Sequence, residues 1–118
     1  MKSAGQIALL PFPYTDLTSS KLRPVLLLCK TPGNFDDWLV CMISSQLHQA
    51  HAEFDEIIQV SDEDYPESGL KSSSVFRLSR LAVVEGNLLT GSIGHISHQR
   101  AHEIRQRVSR WIAGAQGF

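Results

Sequence analysis

Short runs of mainly apolar residues alternate along the chain with polar, glycine-rich or proline-rich segments. Each run has the length of a β-strand, and none approaches the roughly 20 residues that a membrane-spanning helix requires. The run at 25–29 is apolar at every position, which favours a strand buried on both faces. Pro11 and Pro13 are expected to end the first strand, since proline cannot donate to a strand ladder. The predicted strands are 7–10, 25–29, 38–43, 57–60 and 74–78.

The hydrophobic period changes near the C-terminus, where apolar residues recur at spacings of three and four. This stripe predicts an amphipathic helix, with Ser97 suited to its N-cap and Gly114 to its end. The stripe consists of Ala101, Ile104, Val108, Trp111 and Ile112. Several short strands followed by one helix predict a mostly β (α+β) fold, a small bent antiparallel sheet or barrel covered by the C-terminal helix.

Composition is that of an ordinary globular protein. The chain has 118 residues, 42% hydrophobic and 19% charged, so we expect one domain over 1–118 rather than a disordered or disulfide-dense chain. The first residues lack the apolar stretch of a signal peptide. Cys29 and Cys41 lie within apolar runs, and we expect both to be buried thiols in a reducing cytoplasm.

Charge is unevenly distributed along the chain, although the net charge is only −1. Residues 53–67 carry seven acids and no bases, whereas residues 68–118 carry seven bases and two acids. A basic face for a polyanion beside an acidic one is one interpretation. The alternative is that the acids line a solvated loop and the bases solubilise the helix. Charge alone leaves both open.

Several common chemical motifs are absent. The chain has no glycine-rich phosphate loop before a lysine and no four-cysteine zinc pattern. It has five histidines, of which His98 and His102 would lie one helical turn apart, but the spacing offers no third ligand. We therefore expect neither a metal nor another cofactor.

Two polar segments adjoin the apolar strands. In the first, residues 21–24, Arg23 precedes a rigid proline, and its guanidinium offers a permanent charge and a planar fork suited to phosphate oxygens. In the second, residues 44–46, hydroxyl and amide side chains follow an apolar strand abruptly, where they can bind a phosphate or cap a turn. Taken singly, neither segment identifies a function.

The order and spacing of these segments resemble the MazF/PemK family of toxins. The likeness spans Gly5 to Trp111 and is carried by residues 5–7, 11–17, 21–27, 43–46, 69–70, 74–77, 80–81 and 93–97. The resemblance implies an SH3-like antiparallel β-barrel with a C-terminal helix, similar in fold to CcdB. It also implies a metal-independent endoribonuclease that cleaves single-stranded RNA and is a cytoplasmic homodimer. Such toxins are inhibited by an antitoxin, and together with it they bind DNA.

The resemblance also implies roles for individual residues. Arg23 corresponds to the catalytic arginine and Ser44 to the partner hydroxyl, where the family usually has threonine; the missing methyl group leaves the serine rotamer less restricted. Gln6 replaces the aspartate that usually follows the glycine. Further RNA contacts are expected from Tyr14, Lys21, Ser45, Gln46 and Arg77. Each has a structural alternative, such as pairing of Arg77 with an acid of the 53–67 segment.

Two other functions are compatible with the same fold. One is a CcdB-like toxin that binds gyrase, for which the helix end near Trp111 would form the contact. The other is a catalytically inactive homologue that still binds RNA or antitoxin, favoured only by serine at position 44. The RNA recognition sequence depends on a few loop side chains and does not follow from the sequence.

Overall fold

The computed structural model of the protein describes residues 2–12 and 21–114. Six strands form one curled antiparallel sheet, an open half-barrel with the strand order β4-β5-β3-β2-β1-β6. The strands are β1 Gln6–Phe12, β2 Lys21–Lys30, β3 Asp37–Ser44, β4 Glu56–Ile58, β5 Ser74–Glu85 and β6 Ser92–His95. The helices are α1 Tyr65–Ser68 and α2 His98–Ile112, with single 3-10 turns at Leu47–Gln49 and Gly86–Leu88. The predicted mostly β fold with a C-terminal helix is confirmed.

The five predicted strands are all present, and β6 is an additional one. β6 has only four residues, one of them a glycine, and therefore shows no apolar alternation in the sequence. The prediction that Pro11 ends the first strand is wrong, because β1 continues to Phe12 and Pro11 pairs with Leu22 of β2. On its other side β1 pairs with β6 only from Gln6 to Ala8. Pro11 therefore lies where β1 has a neighbour on one side only, which is where a sheet tolerates proline.

Apolar side chains are buried on both faces of the sheet. Along β2, Leu26 and Leu28 belong to the cluster that packs beneath α2, whereas Val25 and Leu27 belong to a second cluster on the opposite face. This confirms the expectation of a strand buried on both sides. Cys41 is buried as predicted, but Cys29 is exposed, since it follows a register irregularity close to the end of β2.

Helix α2 follows its predicted pattern at both ends. The Ser97 hydroxyl oxygen accepts a hydrogen bond from the Arg100 backbone N–H at 3.1 Å, as an N-cap does. Three residues of the stripe are buried, and Trp111 packs edge-to-face against Phe54 with ring centroids 5.2 Å apart. Ile112 is the exception in the predicted stripe, being 66% exposed.

The acidic central segment pairs with basic residues of α2. The Arg100 guanidinium lies 2.7 Å from a Glu56 carboxylate oxygen, 3.0 Å from one of Asp62 and 2.9 Å from one of Asp64. Arg107 approaches Glu56 at 3.2 Å. These contacts attach the acidic segment to the helix, so part of the charge asymmetry of the sequence is balanced within the fold.

Candidate functional site

The sheet register brings Arg23 and Ser44 together. The antiparallel β2–β3 ladder pairs Val25 with Met42. Arg23 comes two residues before Val25 and Ser44 two residues after Met42, so both lie at the same end of the sheet. Because side chains alternate with a period of two, Arg23 and Ser44 share one face of the sheet. Residues 21 positions apart in the sequence are therefore neighbours at the end of two adjacent strands.

Arg23 and Ser44 line one cavity of about 550 Å³ at this end of the sheet. Its apolar lining comes from Leu9, Leu22, Pro24, Ile43, Leu70 and Ile93. Its other lining residues are Ser45, Gln46, Gly69, Lys71, Ser72 and Ser74. The lining thus contains two cations and no acid within the described part of the chain, so it favours an anionic ligand with an apolar portion.

The Ser44 hydroxyl is held in place by the chain that follows it. Its oxygen accepts a hydrogen bond from the Gln46 backbone N–H at 3.0 Å. The bond fixes the serine rotamer, a restriction that a threonine methyl group would otherwise provide. Because the oxygen acts as acceptor in this bond, its hydrogen is available to donate to a ligand in the cavity.

Arg23 is exposed, in contrast to the buried residues that follow it in β2. Pro24 and the buried core of β2 fix its backbone. Within residues 2–12 and 21–114, no carboxylate pairs with its guanidinium, whereas Arg100 and Arg107 of α2 both have acidic partners. Among the described residues the Arg23 guanidinium is thus a planar group of donors without an acidic partner, lining the same cavity as Ser44, an arrangement suited to a phosphate.

Comparison with known proteins identifies the family. The family model for PemK-like, MazF-like toxins of type II toxin–antitoxin systems matches residues 3–112. The chain belongs to this toxin family. Among solved structures it is similar to the Mycobacterium tuberculosis toxin MazF-mt6, with a TM-score of 0.65 and 15% sequence identity over 92% of this chain and 96% of that chain. At that identity the likeness establishes the fold. No curated protein matches the sequence.

The toxin's predicted RNA contacts differ in their placement. Ser45 and Gln46 line the cavity beside Ser44. Lys21 is exposed at the start of β2, outside the cavity lining. Tyr14 lies outside the described residues.

Arg77 lies on the same sheet face as the cavity pair but does not line the cavity. The β3–β5 ladder pairs Arg77 with Met42 and Val75 with Ser44, so Arg77 is a diagonal neighbour of Ser44. Its Nε is buried without a hydrogen-bond partner among the described residues. None of the described ion pairs joins Arg77 to the acidic segment, the alternative that the sequence had left open.

Lys71 is the charged residue of the lining that was not predicted from the sequence. It lies directly after the family-like pair Gly69-Leu70 and is the only base in the polar stretch 71–74. An isolated lysine gives little signal by itself, because exposed lysines are common at surfaces. Its position next to a recognised block was the available clue.

Neither a cluster of metal-ligating side chains nor a membrane-spanning helix occurs in the described part of the chain. Within the described ranges, His, Cys, Asp and Glu side chains form no group of three that could hold a metal ion. No described helix is both long and apolar enough to cross a membrane. The alternative gyrase contact relied on Trp111, whose ring is half-buried against Phe54.

Proposed function

We propose that this toxin is an endoribonuclease that cleaves single-stranded RNA in the cavity lined by Arg23 and Ser44 at the end of the sheet. The observation that carries the proposal is that Arg23, which has no acidic partner among the described residues, lines one cavity with the backbone-fixed hydroxyl of Ser44, and that the described lining has no acid. Family membership supports the same activity. The resemblance of the sequence blocks implies catalytic roles for these two positions.

RNA supplies its own nucleophile for this reaction. The ribose 2′-hydroxyl gives up its proton as its oxygen attacks the adjacent phosphorus and a new P–O2′ bond forms. The P–O5′ bond breaks, and the leaving 5′-oxygen takes up a proton. The products are a 2′,3′-cyclic phosphate and a 5′-hydroxyl end. The protein must align the attack and stabilise the charge that gathers on the phosphoryl oxygens. No metal is required for either task.

Arg23 is proposed to stabilise that charge. Its N–H donors can reach two phosphoryl oxygens at once. Removing one donor of this kind typically raises a barrier by roughly 3–4 kcal/mol, a factor of hundreds. Ser44 is proposed to donate its hydroxyl hydrogen to a phosphoryl oxygen while the Gln46 N–H holds the hydroxyl in position.

Single-stranded RNA suits this cavity for geometric reasons. Unstacked bases of a single strand can contact apolar and polar side chains, whereas those of a duplex are paired and stacked. We propose that Ser45, Gln46 and Arg77 contact the RNA on this face, with Lys21 and Tyr14 as further contacts along the strand. These residues would decide which sequence is cut.

We also propose two protein partners. Membership of a type II family implies an antitoxin, and we expect an acidic extended segment of it to cover the basic surface around Arg23 and Arg77. Unchanged antitoxin affinity after Arg23→Glu with Arg77→Glu would contradict this docking. The second partner is another copy of the chain; a sedimentation mass of one protomer would contradict a homodimer.

Cleavage of a long single-stranded RNA in excess EDTA tests the proposed activity. The wild-type protein is expected to release fragments with 5′-hydroxyl ends, and Arg23→Ala and Ser44→Ala are each expected to lose at least a hundredfold in rate. Matched controls are Arg110→Ala and Ser109→Ala, which remove the same groups from exposed positions of α2. Equal activity of all four variants would refute the assignment, and no cleavage by folded wild-type protein would refute the function.

A further inference from the structure

We propose that Lys71 binds a second phosphate of the RNA, adjoining the one held by Arg23. The inference rests on the proposed function and adds a substrate contact to the same cavity. Lys71 and Arg23 line that cavity from different parts of the fold, the first from the segment before β5 and the second from β2. A cavity with two cations on separate walls suits a chain that carries successive negative charges.

The segment that carries Lys71 is fixed at its N-terminal end. The buried Ser68 hydroxyl donates to the Tyr65 carbonyl oxygen at 2.6 Å and accepts from the Leu70 N–H at 3.2 Å. Gly69 has a φ of +71° and lies so close to the Ile93 carbonyl group that a Cβ would collide with it. Only glycine meets both requirements.

The same segment is fixed at its C-terminal end by two further serines. The Ser74 hydroxyl, which is buried, donates to the Ser72 carbonyl oxygen at 2.9 Å. The Ser73 hydroxyl accepts from the Val60 N–H at 3.1 Å. Lys71 therefore projects from a short segment whose backbone is held on both sides, so its ammonium group is presented at the cavity from a constrained position.

The charge around Lys71 also favours a ligand role. No described acid forms an ion pair with Lys71, although seven acids lie between residues 53 and 67, just before it in the sequence. Several of those acids are engaged by Arg100 and Arg107 instead. The lysine thus keeps an uncompensated charge at the cavity, where a phosphate would neutralise it.

The salt dependence of RNA binding measures this contact directly. Each phosphate neutralised on a single strand contributes about 0.7 to the slope of log affinity against log salt concentration. Lys71→Met is therefore expected to reduce that slope by about 0.7, which corresponds to about fivefold weaker binding at 0.1 M salt and no difference near 1 M. Lys71→Arg keeps the charge and is expected to restore the slope.

The experiment uses the full chain and a single-stranded 2′-O-methyl RNA, which binds without being cleaved, with anisotropy measured from 0.05 to 1 M salt. Lys30→Met is the matched control, because it removes the same charge at the far end of β2 from Arg23. In cleavage of natural RNA, the loss in Lys71→Met should fall on KM rather than on kcat.

The outcomes separate this inference from the proposed function. The phosphate contact would be overturned, even if the protein cleaves RNA, by either of two results. One is a salt dependence of RNA binding in Lys71→Met with the wild-type slope, and the other is a decrease of that slope in Lys30→Met as large as in Lys71→Met. A protein that binds the RNA with a Lys71-dependent slope but never cleaves would retain the contact and refute the nuclease. A wild-type protein that binds no RNA would overturn both.

Discussion

Replacing Arg100 with methionine should destabilise the fold strongly and in a pH-dependent manner. The guanidinium forms hydrogen bonds to Glu56, Asp62 and Asp64 and to the Ile57 carbonyl oxygen. Its side chain is only 15% exposed, so water replaces these bonds poorly. The variant would leave Asp62 and Asp64 without the counter-charge that joins them to α2, and Glu56 with Arg107 alone.

The magnitude follows from the carboxylate with the strongest contacts. Partial burial alone would raise the pKa of Asp64, but hydrogen bonds from the Arg100 side chain and the Ser97 N–H outweigh it and lower the pKa from 3.8 to about 2. A decrease of this size corresponds to about 2 kcal/mol of stability above pH 4. Arg100→Met keeps the Ser97 N–H and so loses only part of this contribution. The more exposed pairs with Glu56 and Asp62 add up to about 1 kcal/mol, so the variant should lose about 2 kcal/mol at pH 7.

The pH dependence has a definite sign. Because the pKa of Asp64 is lower in the folded chain than in the unfolded one, the stabilisation is complete above about pH 4 and is lost as the pH falls towards 2. The difference between wild type and Arg100→Met should therefore be largest at neutral pH and shrink below pH 4, where the carboxylates become protonated.

Urea unfolding followed by tryptophan fluorescence, at one protein concentration, measures this difference. With a slope of about 2 kcal/mol per molar urea, a loss of about 2 kcal/mol moves the midpoint by about 1 M. Arg105→Met on the same helix is the control, since none of the described ion pairs includes Arg105. A shift below about 0.3 M, or one that is the same at pH 7 and pH 3, would refute the reasoning.

Three further predictions concern the framework around the site. Cys29 should react with a thiol reagent in the native protein and Cys41 only after unfolding, because Cys41 is buried and burial raises the pKa of its thiol. Mass spectrometry of the labelled peptides shows which cysteine has reacted. Gly94→Ala should lower the urea midpoint by about 1 M, since a Cβ would meet the Ser68 carbonyl group. Ser97→Ala should cost about 1 kcal/mol in the same assay through loss of the N-cap; no change would contradict that role.

Much of the fold follows from residue periodicity. The run at 25–29 and the stripe ending at Trp111 predict a buried strand and a terminal helix, because burial imposes a period on the sequence. β6 leaves no such trace, since four residues with a glycine are too few to show a pattern. Cys29 lies in an apolar run yet is exposed, because a register irregularity is a property of strand pairing and not of composition.

The candidate site was only partly predictable for a related reason. The resemblance of the sequence blocks selected Arg23 and Ser44, but their side-by-side placement depends on the β2–β3 register. Lys71 reaches the same cavity only through the packing of Gly69 against Ile93, a contact between segments far apart in the chain. Contacts of this kind depend on tertiary structure, and neither a hydrophobic period nor a local sequence motif predicts them.

The proposed cleavage reaction depends most directly on its nucleophile, the ribose 2′-oxygen of the RNA. Once a cleavage position has been mapped in a long RNA, a short single-stranded RNA containing it can be prepared with a single 2′-deoxyribose on the 5′ side of the scissile phosphate. The proposed reaction predicts that the wild-type protein cuts the all-ribose strand, leaving a 2′,3′-cyclic phosphate, and leaves the substituted strand intact. Cleavage of both strands at the same position would contradict it.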